Sequence, residues 1–165
     1  MRLRPVLTLL VLGLLFLSSA LAQGTPKLQL CVADLQANDV SIATTAVQNA
    51  LIKFFAKQKY SQLETVPLKA SLPNEAMAEA REKKCDYVVT TNVAESHSDS
   101  GNTGGWTGVN LQTFYVTVAY KLDKVSDGAE QSSASFKASD RGSAQNAVIA
   151  TMKKIAERVT GSIKK

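Results

Sequence analysis

The stretch Cys85-Asp86-Tyr87-Val88-Val89-Thr90-Thr91-Asn92-Val93 decides the fold. Its β-branched and aromatic residues suit a pleated surface, so it reads as a strand. The apolar residues run consecutively instead of alternating, as expected where both faces of a strand are covered. Helical patterns lie upstream and downstream to supply that cover, which makes this the central strand of the domain.

Upstream, Leu28, Leu30, Val32 and Ala33 mark a first strand over residues 27–34. Asn38, Asp39 and Ser41 follow as candidate caps. Ala43, Val47, Ala50, Leu51 and Phe54 then form the apolar stripe of an amphipathic helix. Residues 60–66 read as a short strand ended by Pro67 and placed at a sheet edge, because Gln62 and Glu64 alternate with Leu63 and Thr65. Ser71 and Pro73 open a second helix with Ala76, Met77 and Ala80 as its apolar face. Arg81, Lys83 and Lys84 close it, cations at the negative end of the helix dipole.

Downstream, residues 95–110 consist mostly of Ser, Asp, Asn, Thr and Gly around the lone Trp106 and offer little to bury, so they read as a long mobile loop. Phe114, Val116, Val118, Tyr120 and Leu122 alternate with Thr113, Tyr115, Thr117, Ala119 and Lys121, the clearest strand pattern in the chain. Ser126-Asp127-Gly128 supplies a turn, and serine-rich residues 129–138 return as the partner strand. Asp140 or Ser143 caps a last helix with the stripe Val148, Met152, Ile155 and Val159. The predicted class is α/β (α+β): a mixed sheet of about five strands, a parallel β-α-β-α-β first half finished by an antiparallel hairpin, with helices packed on the sheet.

Arg2 and Arg4, the apolar run from Val6 to Leu17 and the small-x-small Ala20-Leu21-Ala22 have the form of a secretory signal peptide. The expected organisation is a signal peptide over residues 1–22 and a single domain over residues 23–165, located in the periplasm or secreted. The apolar core is shorter than the roughly 20 residues of a spanning helix, and polar Gln23-Gly24-Thr25-Pro26 follows, so no stable membrane insertion is expected after cleavage. The cleavage point carries no cysteine, which argues against a bacterial lipoprotein. The net charge of +5 includes Arg2 and Arg4, and the other cations are interspersed with acids, a pattern that serves solubility and gives no nucleic-acid footprint.

Cys31 and Cys85 are the two cysteines of the chain. In an oxidising compartment they are a possible disulfide, and they also read as two small buried strand residues. His97 is the single histidine, and Glu95-Ser96-His97-Ser98-Asp99 puts three donors at alternate positions. Metal binding is conceivable there, but three donors in one flexible polar loop read better as solvated side chains. A Ser-His-Asp triad needs members converging from separate elements, which this loop does not offer. Gly101, Gly104, Gly105 and Gly108 match neither phosphate-binding fingerprint. No catalytic residue, metal or cofactor is therefore assigned. Trp106, a large aromatic among glycines, is the candidate partner-binding residue, or else folds back onto the sheet. The carboxy-terminal stripe, flanked by Lys153, Lys154, Lys164 and Lys165, reads as core in preference to a membrane-surface helix.

The helix-to-strand run Ala78-Glu79-Ala80-Arg81-Glu82-Lys83-Lys84-Cys85-Asp86-Tyr87-Val88-Val89-Thr90-Thr91 and the segment Val118-Ala119-Tyr120-Lys121-Leu122-Asp123-Lys124-Val125-Ser126-Asp127-Gly128 resemble the CsgG-like and TolB amino-terminal-like periplasmic domains. That resemblance implies a bacterial envelope domain that binds other proteins, in secretion, peptidoglycan-synthase activation or envelope assembly, and implies no enzyme activity. The chain lacks a lipoprotein cysteine and a long apolar insertion, so a pore-forming role does not carry over. The expected function is an exported, non-catalytic protein-binding or scaffold domain of the bacterial cell envelope, with an envelope or secreted protein as partner. The alternative is a small secreted hydrolase or metal-dependent enzyme using the loop around His97, and a ligand-sensing subunit is a third reading.

The leader reading predicts that the exported protein begins at Gln23. Intact-mass measurement of exported material checks this, and residues 1–22 retained in a membrane fraction would contradict it.

Overall fold

The structure, a computed structural model, describes residues 27–39, 41–58, 60, 62–101 and 111–164. Along the chain lie β1 (Leu28–Val32), α1 (Thr44–Lys57), β2 (Leu63–Pro67), α2 (Pro73–Glu82), β3 (Tyr87–Gly101), β4 (Leu111–Lys124), β5 (Glu130–Asp140) and α3 (Ala144–Ile163). The five strands form one sheet in the order β2-β1-β3-β4-β5. β1 runs parallel to both β2 and β3, and β3, β4 and β5 are antiparallel neighbours. This is the mixed sheet with packed helices that the hydrophobic periodicities predict.

Side-chain alternation along β1 sends Leu30 and Val32 to one face and Cys31 and Ala33 to the other. The first face joins the main core with Val47, Leu51 and Phe55 of α1, Val116, Val118, Tyr120 and Leu122 of β4, and Val148, Met152, Ile155 and Val159 of α3. The second face builds a smaller core in which Cys31, Ala33 and Val88 meet Ala76 and Ala80 of α2, with Leu68, Cys85 and Val125. Val88 and Val89 are thus buried against opposite layers, as the consecutive apolar run requires.

Three expectations are corrected. Residues 95–101 are strand, not loop: β3 continues to Gly101, paired through Glu95↔Thr117, His97↔Tyr115 and Gly101↔Leu111, after a register shift between Val93 and Glu95. The ladder with the strongly patterned β4 supplies what the polar local composition lacks; Gln112 Nε2 donates to Ser98 Oγ at 3.0 Å, and Thr117 Oγ1 donates to Glu95 Oε2 at 3.1 Å. Asn38, Asp39 and Ser41 do not cap α1, whose N-cap is Ala43 without a side-chain bond. Asp39 Oδ1 instead accepts from the N–H of Ser41 at 2.9 Å and from its hydroxyl at 2.7 Å. The buried stripe of α1 is Val47, Gln48, Leu51 and Phe55, so that it ends on Phe55 in place of Phe54 and takes in Gln48. The Gln48 amide nitrogen donates to the carbonyls of Val32 (2.9 Å) and Leu68 (2.7 Å), tying the ends of β1 and β2 together inside the core.

The other junctions follow their sequence cues. Pro73 sits in the first turn of α2, where its missing N–H removes a donor that would need a partner. α2 ends with Lys84 at a φ of 58°, Lys84 N–H donating to Arg81 O (3.1 Å) and Cys85 N–H to Ala80 O (3.0 Å), which is a Schellman motif built without glycine. Gly128 takes a φ of 72° in the β4–β5 connection. Ser143 caps α3 by accepting from Asn146 N–H at 3.1 Å, while Asp140 Oδ1 accepts from the N–H groups of Gly142 (2.6 Å) and Ser143 (3.0 Å).

Cys31 on β1 and Cys85, two residues before β3, stand as a disulfide pair with Cα atoms 5.8 Å apart and a sequence separation of 54. A cross-link over a loop of that length restricts the unfolded chain by about 4 kcal/mol in the loop-entropy account, of which native domains typically realise 2–4. Replacing both cysteines by alanine is expected to lower the unfolding free energy of the exported protein by about 3 kcal/mol. Urea unfolding compared with and without reductant checks it, and coincident curves together with two free thiols in the untreated protein would contradict it.

Candidate functional site

The two sheet faces are unequally covered. α1 and α3 pack over one face, whereas α2 touches the other only around β1 and the start of β3. The outward side chains of β4 and β5 and of the distal part of β3 therefore form an open surface. Strand alternation puts Glu95, His97 and Asp99 on that surface beside Thr117, Tyr115 and Thr113 of β4, and Lys137 and Ser139 of β5 lie across from Thr117 and Tyr115.

At its centre the His97 ring stacks on the Tyr115 ring, with centroids 5.1 Å apart and an interplanar angle of 14°. Tyr115 remains 38% exposed, one of two large apolar side chains so placed among the described residues. A shallow cleft of about 350 Å³ runs over this pair and is bordered by Glu95, Thr117, Lys137 and Ser139. Such a surface presents one broad aromatic plane ringed by a carboxylate, an ammonium and hydroxyls.

The alternate spacing of Glu95, His97 and Asp99 survives, but in a strand and not in a loop. At about 3.3 Å per residue, Glu95 and Asp99 stand roughly 13 Å apart along β3, too far to share an ion. Among the described residues no group of three His, Cys, Asp or Glu side chains is close enough to hold a metal. Trp106 lies outside the described residues, in the connection between β3 and β4. Tyr115 carries a sequence signal of its own, an aromatic on the polar side of the most regular amphipathic strand, which marks it as a surface residue beside the site candidates.

Electrostatics fix the elements around the open face. Asp39, below the distal arm, is held under the usual carboxylate range first by the Ser41 hydroxyl and then by the Ser41 N–H; Ser96 of the arm also reaches it at 3.4 Å. Glu79 of α2 accepts from the N–H groups of Lys69 (2.9 Å) and Ala70 (3.0 Å) and pairs with Lys83 Nζ at 2.9 Å. Burial acts to raise its pKa, but the bonds from Lys83, Ala70 and Lys69 together outweigh it and the net direction is down. Through these bonds the segment entering α2 is held against its own helix. Among the described residues no helix is long and apolar enough to cross a membrane.

No family model matches the chain, and no curated protein matches it. Solved structures do share its fold. Hypothetical protein CT253 from Chlamydia trachomatis superposes with a TM-score of 0.59 at 11% identity, over 83% of this chain and 98% of that one. PelC from Paraburkholderia phytofirmans, a dodecamer, gives 0.53 at 16% identity over 80% and 91%. Lipoprotein GNA1162 from Neisseria meningitidis gives 0.51 at 12% identity over 81% and 99%. TolB from Acinetobacter baumannii is also matched, at a TM-score of 0.47 over 28% of its chain, a level that carries no argument.

The lowered pKa of Glu79 has a stability consequence of defined sign. A carboxylate with a depressed folded-state pKa contributes stability above its unfolded pKa and loses it as pH falls through the folded value. Glu79→Gln is expected to destabilise the protein by about 1 kcal/mol at neutral pH, discounted for partial exposure, with the gap to wild type closing in acid. Thermal unfolding of both proteins between neutral and acidic pH reads this, and a gap independent of pH would refute it.

Proposed function

We propose that the chain is an exported, non-catalytic binding or scaffold domain of the bacterial cell envelope, which holds a protein partner on the open face of β3, β4 and β5. The observation that carries the reading is the exposed Tyr115 stacked on His97 on a sheet face that α2 leaves uncovered. Aromatic side chains supply a large share of interface energy at low entropic cost, and a rim of Glu95, Lys137 and hydroxyls gives such a surface orientation without chemistry. The spread of Glu95, His97 and Asp99 along one strand gives no converging acid, base or nucleophile, which favours binding over the hydrolase or metal-enzyme reading.

The fold neighbours support an envelope setting to the extent that one is described as a lipoprotein. The CsgG-like and TolB amino-terminal-like resemblance belongs to the same proposal, as do the cleaved leader at residues 1–22 and Trp106 as a second anchor at the β3–β4 connection.

Two variants separate binding from chemistry at one place. Tyr115→Ala should weaken capture of an envelope partner by about 2 kcal/mol, the loss of an aromatic anchor. His97→Phe keeps an aromatic ring stacked on Tyr115 but removes both nitrogens, so binding should persist. Titration of a partner recovered from envelope extract against the three proteins checks this. Unchanged affinity in Tyr115→Ala, or loss confined to His97→Phe, would overturn the reading.

A further inference from the structure

Cations that lie interspersed with acids along the chain are gathered at one end of the fold. β1 begins there at Leu28, and parallel β3 begins beside it at Tyr87, whose antiparallel partner is Lys124 at the close of β4. α1 and α2, which run back between parallel strands, end there at Lys57 and Glu82. α3, returning after β5, ends at Ile163, and Lys164 Nζ lies 5.0 Å from the ring centroid of Tyr60 ahead of β2. Lys27, Lys57, Arg81, Lys84, Lys124 and Lys164 therefore share this end, and all are exposed.

Their countercharges are few and mostly engaged elsewhere. Among the described residues the ion pairs are Lys83 with Glu79 and Lys121 with Asp123 and Glu130, so none of these cations is in one. Of the other acids at this end, Asp86 accepts from Gln29 N–H at 2.7 Å and Asp127 from Ala129 N–H at 3.0 Å, which leaves Glu82. The opposite end differs in sign, with Asp34, Asp39, Glu75 and Asp140 against Lys69 and Arg141.

Helix dipoles account for part of this arrangement. Lys57, Arg81 and Lys164 stand at the carboxyl ends of helices, where a cation offsets the negative pole. Lys27 and Lys124 stand at strand ends, with no such pole to offset. Lys84 takes a φ of 58°, a conformation that glycine adopts at lower cost, and its ammonium pairs with no acid among the described residues. Across this end runs a groove of about 470 Å³ that Arg81, Lys84 and Lys124 line together with Asp86, Tyr87 and Ser126.

We propose that this basic end is a docking surface for an anionic lipid bilayer, with the groove between Arg81, Lys84 and Lys124 receiving headgroup phosphates. A plane of negative charge meets all the cations of the end at once, and each adds to the attraction. The course of the chain points the same way, because residues 1–26 join the domain here, at Lys27. On the leader reading, residues 23–26 alone separate Lys27 from the apolar segment, a reach of at most about 14 Å, so this end faces the membrane during export. Docking is peripheral and inserts no segment. It holds the Tyr115 cleft outward, since His97 lies roughly 33 Å along β3 from Tyr87, and it does not rest on a partner binding at that cleft.

The test is co-sedimentation of the exported protein with vesicles of phosphatidylglycerol and phosphatidylcholine, against vesicles of phosphatidylcholine alone, at low and at physiological ionic strength. Binding to the anionic vesicles that weakens with salt is expected, and none to the neutral ones. Lys84→Gly suits the left-handed backbone and should keep or raise the thermal midpoint. Combined with Lys124→Gln it should weaken vesicle binding about 25-fold, a factor of about five for each cation. Lys153→Gln with Lys154→Gln removes the same charge from the exposed middle of α3, about 15 Å from its end, and should leave binding nearly unchanged. Equal weakening by the two pairs, equal binding to neutral vesicles, or no binding to anionic ones would each overturn the proposal. Release by inorganic phosphate at constant ionic strength would overturn it too, by assigning the groove to the free anion.

Discussion

Leu30, Cys31 and Val32 are fully buried in succession, and a strand buried on both faces needs a helical layer on each side. That constraint on β1 organises the molecule. A helix with its side chains is about 10 Å across and strands lie about 4.8 Å apart, so one helix covers roughly two strands. α1 and α3 together suffice for the wider part of one face, whereas α2, ten residues long, is alone on the other. It covers β1 and the root of β3 and leaves β4 and β5 bare. The open face thus follows from counting helices against strands and requires no special loop.

The junction around β1 is held by polar and covalent links more than by apolar mass. Gln48 bonds to the carbonyls of both Val32 and Leu68 inside the core, and a buried amide so paired fixes register where hydrophobic contact alone would tolerate sliding. Glu79 clasps the entry to α2 and the Cys31–Cys85 pair clasps its exit. The small core beneath α2 is built largely from alanine, cysteine and valine, which bury little area each, so these links compensate for a layer too thin to be stabilised by packing alone.

How much of this was legible in the chain depends on where each residue's information lies. Val88, Val89, the β4 alternation and the α3 stripe announce their burial locally, because period and branching act within a few residues. The polar run from Glu95 to Gly101 does not: its strand state comes from β4, whose partners for it begin at Leu111, and propensity read over residues 95–101 alone points to loop. Gln48 likewise reads as a solvated helix position, since nothing beside it in sequence reveals that the carbonyls of Val32 and Leu68 lie above it. His97 illustrates the mixed case, its alternation with Glu95 and Asp99 being visible while the Tyr115 ring that gives it a role is on another strand.

A groove of about 180 Å³ between the start of α2, β3 and β4 was the least legible feature, for a reason that extends beyond this chain. Gln36, Ser71, Thr90, Asn92 and Lys121 come from four segments, Thr90 and Asn92 sharing β3, and none forms a motif with its neighbours. What brings them together is the placement of α1 and α2 on opposite faces about β1, a property of strand order that appears only when β3 is known to pair with β1 and not with β2. Thr90 shows the point most sharply. In sequence it continues a β-branched strand, where threonine is favoured for its shape. In the sheet it is buried and lines the groove beside Pro73 at the start of α2. Its place there is set by the pairing of β3 with β1 and by where α2 begins, neither of which residues 85–93 contain.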